Sequence, residues 1–184
     1  GYAIPASMVR AVVKAAVSGK PLVRPWIGAT GRPVSVQLAA MLGFDRPYGA
    51  LMVSVHPEGP FAVAGGRPGD IVIAADGREI EDGEALRFRV ATRDIGSTLR
   101  LALRRGWSGG EIGVTPAAPP DVPPADERRL RGYQPLSGAR VASLSPALAE
   151  RLALDSAIFG VVVLDIARGS AAGRSGLRKK DIIV

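Results

Sequence analysis

Apolar positions along this chain change their period several times. Near the start, Val9, Val12, Val13, Ala16 and Val17 fall at i, i+3, i+4, i+7 and i+8, one face of a helix. Ser7 is a suitable N-cap and Gly19 a suitable stop. After Leu22 the pattern turns strand-like. Residues 23–30 read as a short strand with a glycine turn, Ala50–Val55 as a buried strand and Asp70–Ala74 as another. Short helices are expected over 36–42 and 62–65. Asp76-Gly77 is a tight-turn signal. Asp82 is placed to cap a helix of about ten residues that carries Leu86 and Val90 on one face. Thr98–Leu103 alternates as a strand, and 145–152 predicts one more short helix.

The same pattern occurs twice. Residues 49–73 and 160–184 align without a gap: Gly49 with Gly160, Gly65 with Gly176, Asp70 with Asp181. The offset is constant at 111 residues (160 − 49), which marks a duplicated strand-turn-strand module. Upstream of each copy, Leu136-Ser137-Gly138-Ala139 stands in the place of Trp26-Ile27-Gly28-Ala29, offset by 110. Between them, Thr115–Asp126 is Pro-rich and without periodicity, which predicts a stiff, extended linker. The second copy stops soon after its Asp181, so it is expected to lack the capped helix of the first.

Composition narrows the function classes. Aromatics are only 5% of 184 residues, so the cores must be built from Val, Leu, Ile and Ala, which suits small sheets. The formal net charge of +7 is spread over short clusters such as Arg104-Arg105 and Arg178-Lys179-Lys180, with no nucleic-acid-reading motif beside them. There is no cysteine, which excludes disulfides and thiol catalysis. No stretch approaches the roughly 18 apolar residues of a membrane span. The start at Gly1, without Met or signal peptide, reads as a processed or excised piece.

No catalytic set emerges. His56 is the only histidine, at a strand end before Pro57 and without a partnered serine, and is expected to be an exposed loop residue. A lone His without Cys does not build a metal site, and no cofactor is expected. Asp70 and Asp181 recur one per copy, so each is expected to cap the turn before its strand. Binding chemistry is better represented. In Trp26-Ile27-Gly28-Ala29-Thr30, an apolar-Gly turn can aim successive N–H groups at a carboxylate. The strand that follows can accept an extended peptide, and Leu86 and Val90 can line a pocket for its last side chain. The same residues serve equally well as a turn and core, and spacing alone leaves the two readings open. Leu136, Ser137, Gly138 and Ala139 form a weaker turn in the second copy, because Ser137 is polar.

Residues 59–72 (GPFAVAGGRPGDIV) resemble the Ser-Pro-Ala-Ala-x-Ala-Gly-Leu-x-x-Gly-Asp-x-Ile stretch of PDZ modules in the HtrA/Deg family of serine proteases. Ser170–Leu177 with Asp181-Ile182-Ile183 matches it again. Tyr2-Ala3-Ile4-Pro5 is similar to the end of that family's protease domain, and Arg24–Gly28 to the start of its first PDZ. The resemblance implies an α+β, β-rich fold: a PDZ-like, partly open β-barrel with flanking helices, in tandem, the second copy truncated. It implies the end of a protease domain and a helix over 1–21, a first PDZ over 22–114, a linker over 115–134 and part of a second PDZ over 135–184. It also implies a periplasmic or envelope setting, protein quality control and a homo-oligomeric parent. The expected partners are unfolded or C-terminal peptide segments and the parent's own protease domain, and this fragment itself is not expected to be an enzyme. Two alternatives stand beside it: a scaffold or oligomerisation segment that binds no free peptide, and a PDZ pair of another envelope protease or secretion system.

Overall fold

The computed structural model describes Val13 and residues 23–184. The helix expected over 7–19 therefore lies, apart from Val13, outside the described residues. The chain divides into two compact units, Gly1–Pro119 and Pro120–Val184, and the division falls inside the Pro-rich stretch.

The first unit is an antiparallel sheet with short helices, and it is not a closed barrel. Its elements are β1 (Ala29–Pro33), α1 (Val36–Met41), β2 (Ala50–Val55), α2 (Pro60–Val63), β3 (Ile71–Ala75), β4 (Arg78–Glu79), α3 (Gly83–Ala91), β5 (Leu99–Arg105) and β6 (Ser108–Val114). The strand order is β1-β2-β3-β5-β6, with β4 hanging on β3, so β1 lies at one edge. The predicted alternation in β5 is real: Leu99, Leu101 and Leu103 are buried. They share a core with Ile27, Phe61 and Val72. A smaller cluster under α1 holds Val34, Ala39 and Ile71. Asp82 caps its helix as expected, and Ser35 caps α1 in the same way. Ser35 Oγ accepts from the Leu38 N–H and Asp82 Oδ1 from the Ala85 N–H.

Two expectations about this unit change. The strand expected over 23–30 forms after the glycine turn, over Ala29–Pro33, with Trp26 making only an isolated bridge to Ala117. β6 has no apolar alternation of its own; it forms because all seven of its residues pair with β5 in a hairpin.

The second unit repeats the frame: β7 (Arg128–Arg129), β8 (Ala139–Ser143), α4 (Pro146–Leu152), β9 (Val161–Ile166), α5 (Ala171–Arg174) and β10 (Ile182–Ile183). Its strand order is β10-β9-β8-β7. The repeat extends to individual bonds. Met52 donates to the Asp70 carbonyl and accepts from the Gly69 N–H; Val163 does the same with Asp181 and Lys180. The Pro-rich stretch is extended but not loose. Ala117 exchanges two backbone bonds with Trp26, at 2.9 and 3.0 Å, within the first unit. In the second, Pro120 accepts from Ala147, and the fully buried Ser145 hydroxyl donates to Asp121 at 2.7 Å.

Candidate peptide-binding edge

Gly28 adopts φ +72°, the left-handed region that glycine occupies without strain. Any side chain there would also sit 2.6 Å from the Gly59 Cα. The turn is locked by its carbonyls: Ile27 accepts from the Phe61 N–H at 2.8 Å, and Gly28 from the His56 N–H at 2.7 Å. Among the described residues, nothing accepts from the Ile27 or Gly28 N–H. Consecutive N–H groups around a left-handed residue form a concave donor set suited to an anion.

The strand opened by this turn has a free side. The His56-to-Gly28 bond makes the facing pair Ala29/Val55 non-hydrogen-bonded, so the Ala29 N–H and C=O point away from β2. Met52 spends both its groups on the β3 side, so its partner Gly31 also points outward. Thr30 and Arg32 face inward between them. β1 therefore turns the Ala29 groups and the Gly31 N–H to its outer side directly after the donor turn, while the Gly31 carbonyl on that side is packed against Gly83 at the start of α3.

Leu86 and Val90 lie on the inner face of α3 at 2% and 4% exposure, in the same buried cluster as Ile27. Ile27, Leu86 and Val90 thus belong to one buried core, while Arg87 and Phe88 are exposed. Trp26 is also buried, with its indole edge-on to the His56 ring at 5.4 Å. This corrects the expectation for His56. It is buried rather than exposed, because the indole covers it and its Nδ1 accepts from the Glu58 N–H. The second-copy turn is built the same way. Gly138 has φ +93°, its carbonyl accepts from Ala167, and the Ser137 carbonyl accepts from Ala172.

Sequence reasoning missed Gly31 and Gly83. α3 begins directly against β1, and a Cβ on Gly83 would overlap the Gly31 carbonyl. Gly83→Ala should therefore force the start of α3 off β1 and destabilise the first unit by about 1–3 kcal/mol, the range for overpacking. Urea unfolding checks this, and an unchanged midpoint would show that α3 yields freely. Glycines at a strand edge and at a helix start were the available signal, but sequence separation of 52 residues hid their pairing.

Asp70 holds the β3 entry. Its side chain is only 1% exposed, yet it receives the Arg105 guanidinium at 2.6 and 2.7 Å and the Arg67 N–H at 2.8 Å. Burial pushes its pKa up, but the Arg105 and Arg67 contacts outweigh this and hold it below the ordinary carboxylate value. Asp181 accepts from the Arg178 N–H in the same way, so both aspartates cap their turns as expected. Among the described residues there is no group of acidic or histidine side chains arranged for a metal, and no helix long and apolar enough to cross a membrane.

Residues 25–115 match the family model described as the PDZ domain. A probable periplasmic serine endoprotease, DegP-like, from Chlamydia muridarum is 30% identical over 184 residues, which cover all of this chain and 36% of the relative. The periplasmic pH-dependent serine endoprotease DegQ of Escherichia coli is 27% identical over 188 residues, covering all of this chain and 38% of that protein. Residues 25–115 are a PDZ domain, and the chain as a whole is similar to the PDZ region of HtrA-type proteases. Among solved structures, this PDZ region is similar to the HtrA-type protease AlgW with a decapeptide, at 25% identity and a TM-score of 0.52 over 65% of this chain and 37% of that one. The PDZ region spans little more than a third of the length of the curated relatives it matches.

Proposed function

We propose that the first PDZ module captures exposed C-terminal or apolar peptide segments by adding them as an antiparallel strand to β1. The terminal carboxylate is received by the N–H groups of Ile27, Gly28 and Ala29, the peptide backbone by the outward groups of Ala29 and the Gly31 N–H, and the last side chain by Ile27, Leu86 and Val90. One observation carries this reading: an edge strand whose alternate backbone groups face outward directly after a left-handed glycine turn with unspent N–H groups. The domain limits that go with it are 1–21, 22–114, 115–134 and 135–184. The relatives' names extend the proposal to a parent that is a periplasmic serine endoprotease; the family resemblance adds that this parent is homo-oligomeric, serves protein quality control and has its protease domain regulated or fed by this region.

The carboxylate is the discriminating group, because hydrogen bonds to a charged acceptor contribute about 1.5–3 kcal/mol. Calorimetric titration of residues 1–184 with ten-residue peptides ending in an apolar residue should show saturable binding. Amidating the peptide's terminus should weaken it about tenfold or more. Equal affinities for acid and amide, or no binding of either, would overturn the proposal.

A further inference from the structure

The outer edge that is free in the first module is filled in the second, and by the chain itself. β7 lies antiparallel on β8, pairing Arg128 with Val141 and Arg129 with Arg140. The pairing continues past the strand ends. Ser143 donates to the Ala125 carbonyl at 2.7 Å, and Leu130 donates to the Ala139 carbonyl at 2.8 Å. By the 110-residue offset, Ala139, Val141 and Ser143 stand where Ala29, Gly31 and Pro33 stand in the first module. These are the outward-facing positions of the edge, and each is taken.

The end of the segment is the telling part. Gly138, the left-handed glycine of the second turn, donates its N–H to the Leu130 carbonyl at 2.8 Å. An arriving peptide's terminal carboxylate would place an oxygen on that same donor. Residues 125–130 also run in the direction such a peptide would run, antiparallel to β8 with the last residue at the turn. The Leu130 side chain is partly buried against Ala139, Val141, Val163 and Ala172. An ion pair between Glu127 and Arg140 at 2.9 Å fastens the middle of the segment to β8.

We infer that residues 125–130 are a built-in ligand of the second module, which closes its edge in cis against C-terminal peptides. This rests on the edge reading proposed for the first module, with one difference: Gly138 alone donates to the segment, because the Ser137 and Ala139 N–H groups donate to the Gln134 and Leu136 carbonyls. The tethered segment competes at an effective concentration in the millimolar range, so it excludes peptides of ordinary affinity without binding tightly itself.

The test is an amide-resolved NMR titration of residues 1–184 with an apolar ten-residue peptide bearing a free carboxylate. In the unaltered chain, the Ile27–Ala29 amides should shift while Gly138 and Ala139 stay still. Arg128→Pro removes an N–H that pairs with β8 and should release the segment. Gly138 and Ala139 should then respond to the peptide, and only to the free acid. Leu130→Ser, which leaves all backbone pairing possible, should move the response the same way by a smaller factor and serves if Arg128→Pro disturbs the fold. A Gly138 response already present in the unaltered chain, or none in either variant with β9 and β10 amides unchanged, would overturn the inference. Silence at Ile27–Ala29 as well would instead sink the edge reading on which it rests.

Discussion

Phe61→Ala should destabilise the first unit by about 3–5 kcal/mol, the range for truncating a buried aromatic, and should loosen peptide capture in the same step. Phe61 is fully buried, and its ring lies so close to Gly66 that a Cβ on that glycine would run into it. It belongs to the core that also holds Ile27, Leu86 and Val90. Its N–H donates to the Ile27 carbonyl at 2.8 Å, so α2 sets the tilt of the donor turn. The substitution therefore leaves a cavity in the core under α2, and the residue 61 N–H that holds the Ile27 carbonyl is kept but less firmly placed. Urea unfolding followed by Trp26 fluorescence should show a large fall in midpoint for the first unit. The β9 and β10 amides of the second unit should keep their shifts. A loss below about 1 kcal/mol would mean that the site collapses around the gap and that α2 does not support the turn.

Asp70→Asn carries the second large effect, about 2–3 kcal/mol, and it depends on pH. The buried carboxylate accepts two bonds from Arg105 and one from the Arg67 N–H. Arg105 is about half exposed, at 48%, so solvent screens the ion pair and the figure stays below that for a fully buried one. The folded-state pKa lies below the ordinary value of 3.8. In the window between the two values the unfolded chain binds more protons than the folded one, so stability rises with pH there. The contribution of Asp70 is complete above its unfolded pKa and is lost as pH falls through the lowered folded value. Unfolding measured from pH 7 down to pH 2 should show unaltered protein and variant differing most near neutrality and converging in acid. A difference that stays constant across that range would assign the effect to packing rather than to charge.

Most of the frame was legible in the sequence because it rests on short-range signals. Asp82 announced its helix by cap chemistry, Leu99, Leu101 and Leu103 announced a strand by alternation, and the 111-residue repeat announced a duplicated module. What escaped depends on long-range pairing. β6 has no pattern of its own and exists through β5. His56 reads as a loop residue until Trp26 is seen to cover it. The site shows the same split. The left-handed turn at Gly28 could be named from residues alone, and so could the shared helix face of Leu86 and Val90, which the structure buries in the core. Which side of β1 is free could not, since it follows from where Met52 and His56 send their bonds. Residues 128–130 fall inside the linker expected over 115–134. Their place on the β8 edge appears only once the register is known.

The central claim is that a peptide's carboxylate is received by the Ile27, Gly28 and Ala29 N–H groups and its backbone by the outer side of β1. The most direct measurement maps amide shifts in residues 1–184 on adding matched apolar peptides, one with a free terminus and one amidated. With the free acid, the Ile27, Gly28, Ala29 and Gly31 amides should move together and saturate at one affinity. With the amide, the same signals should move only at about tenfold higher concentration or beyond. Shifts that leave Ile27–Gly31 in place, or that are identical for acid and amide, would contradict the account.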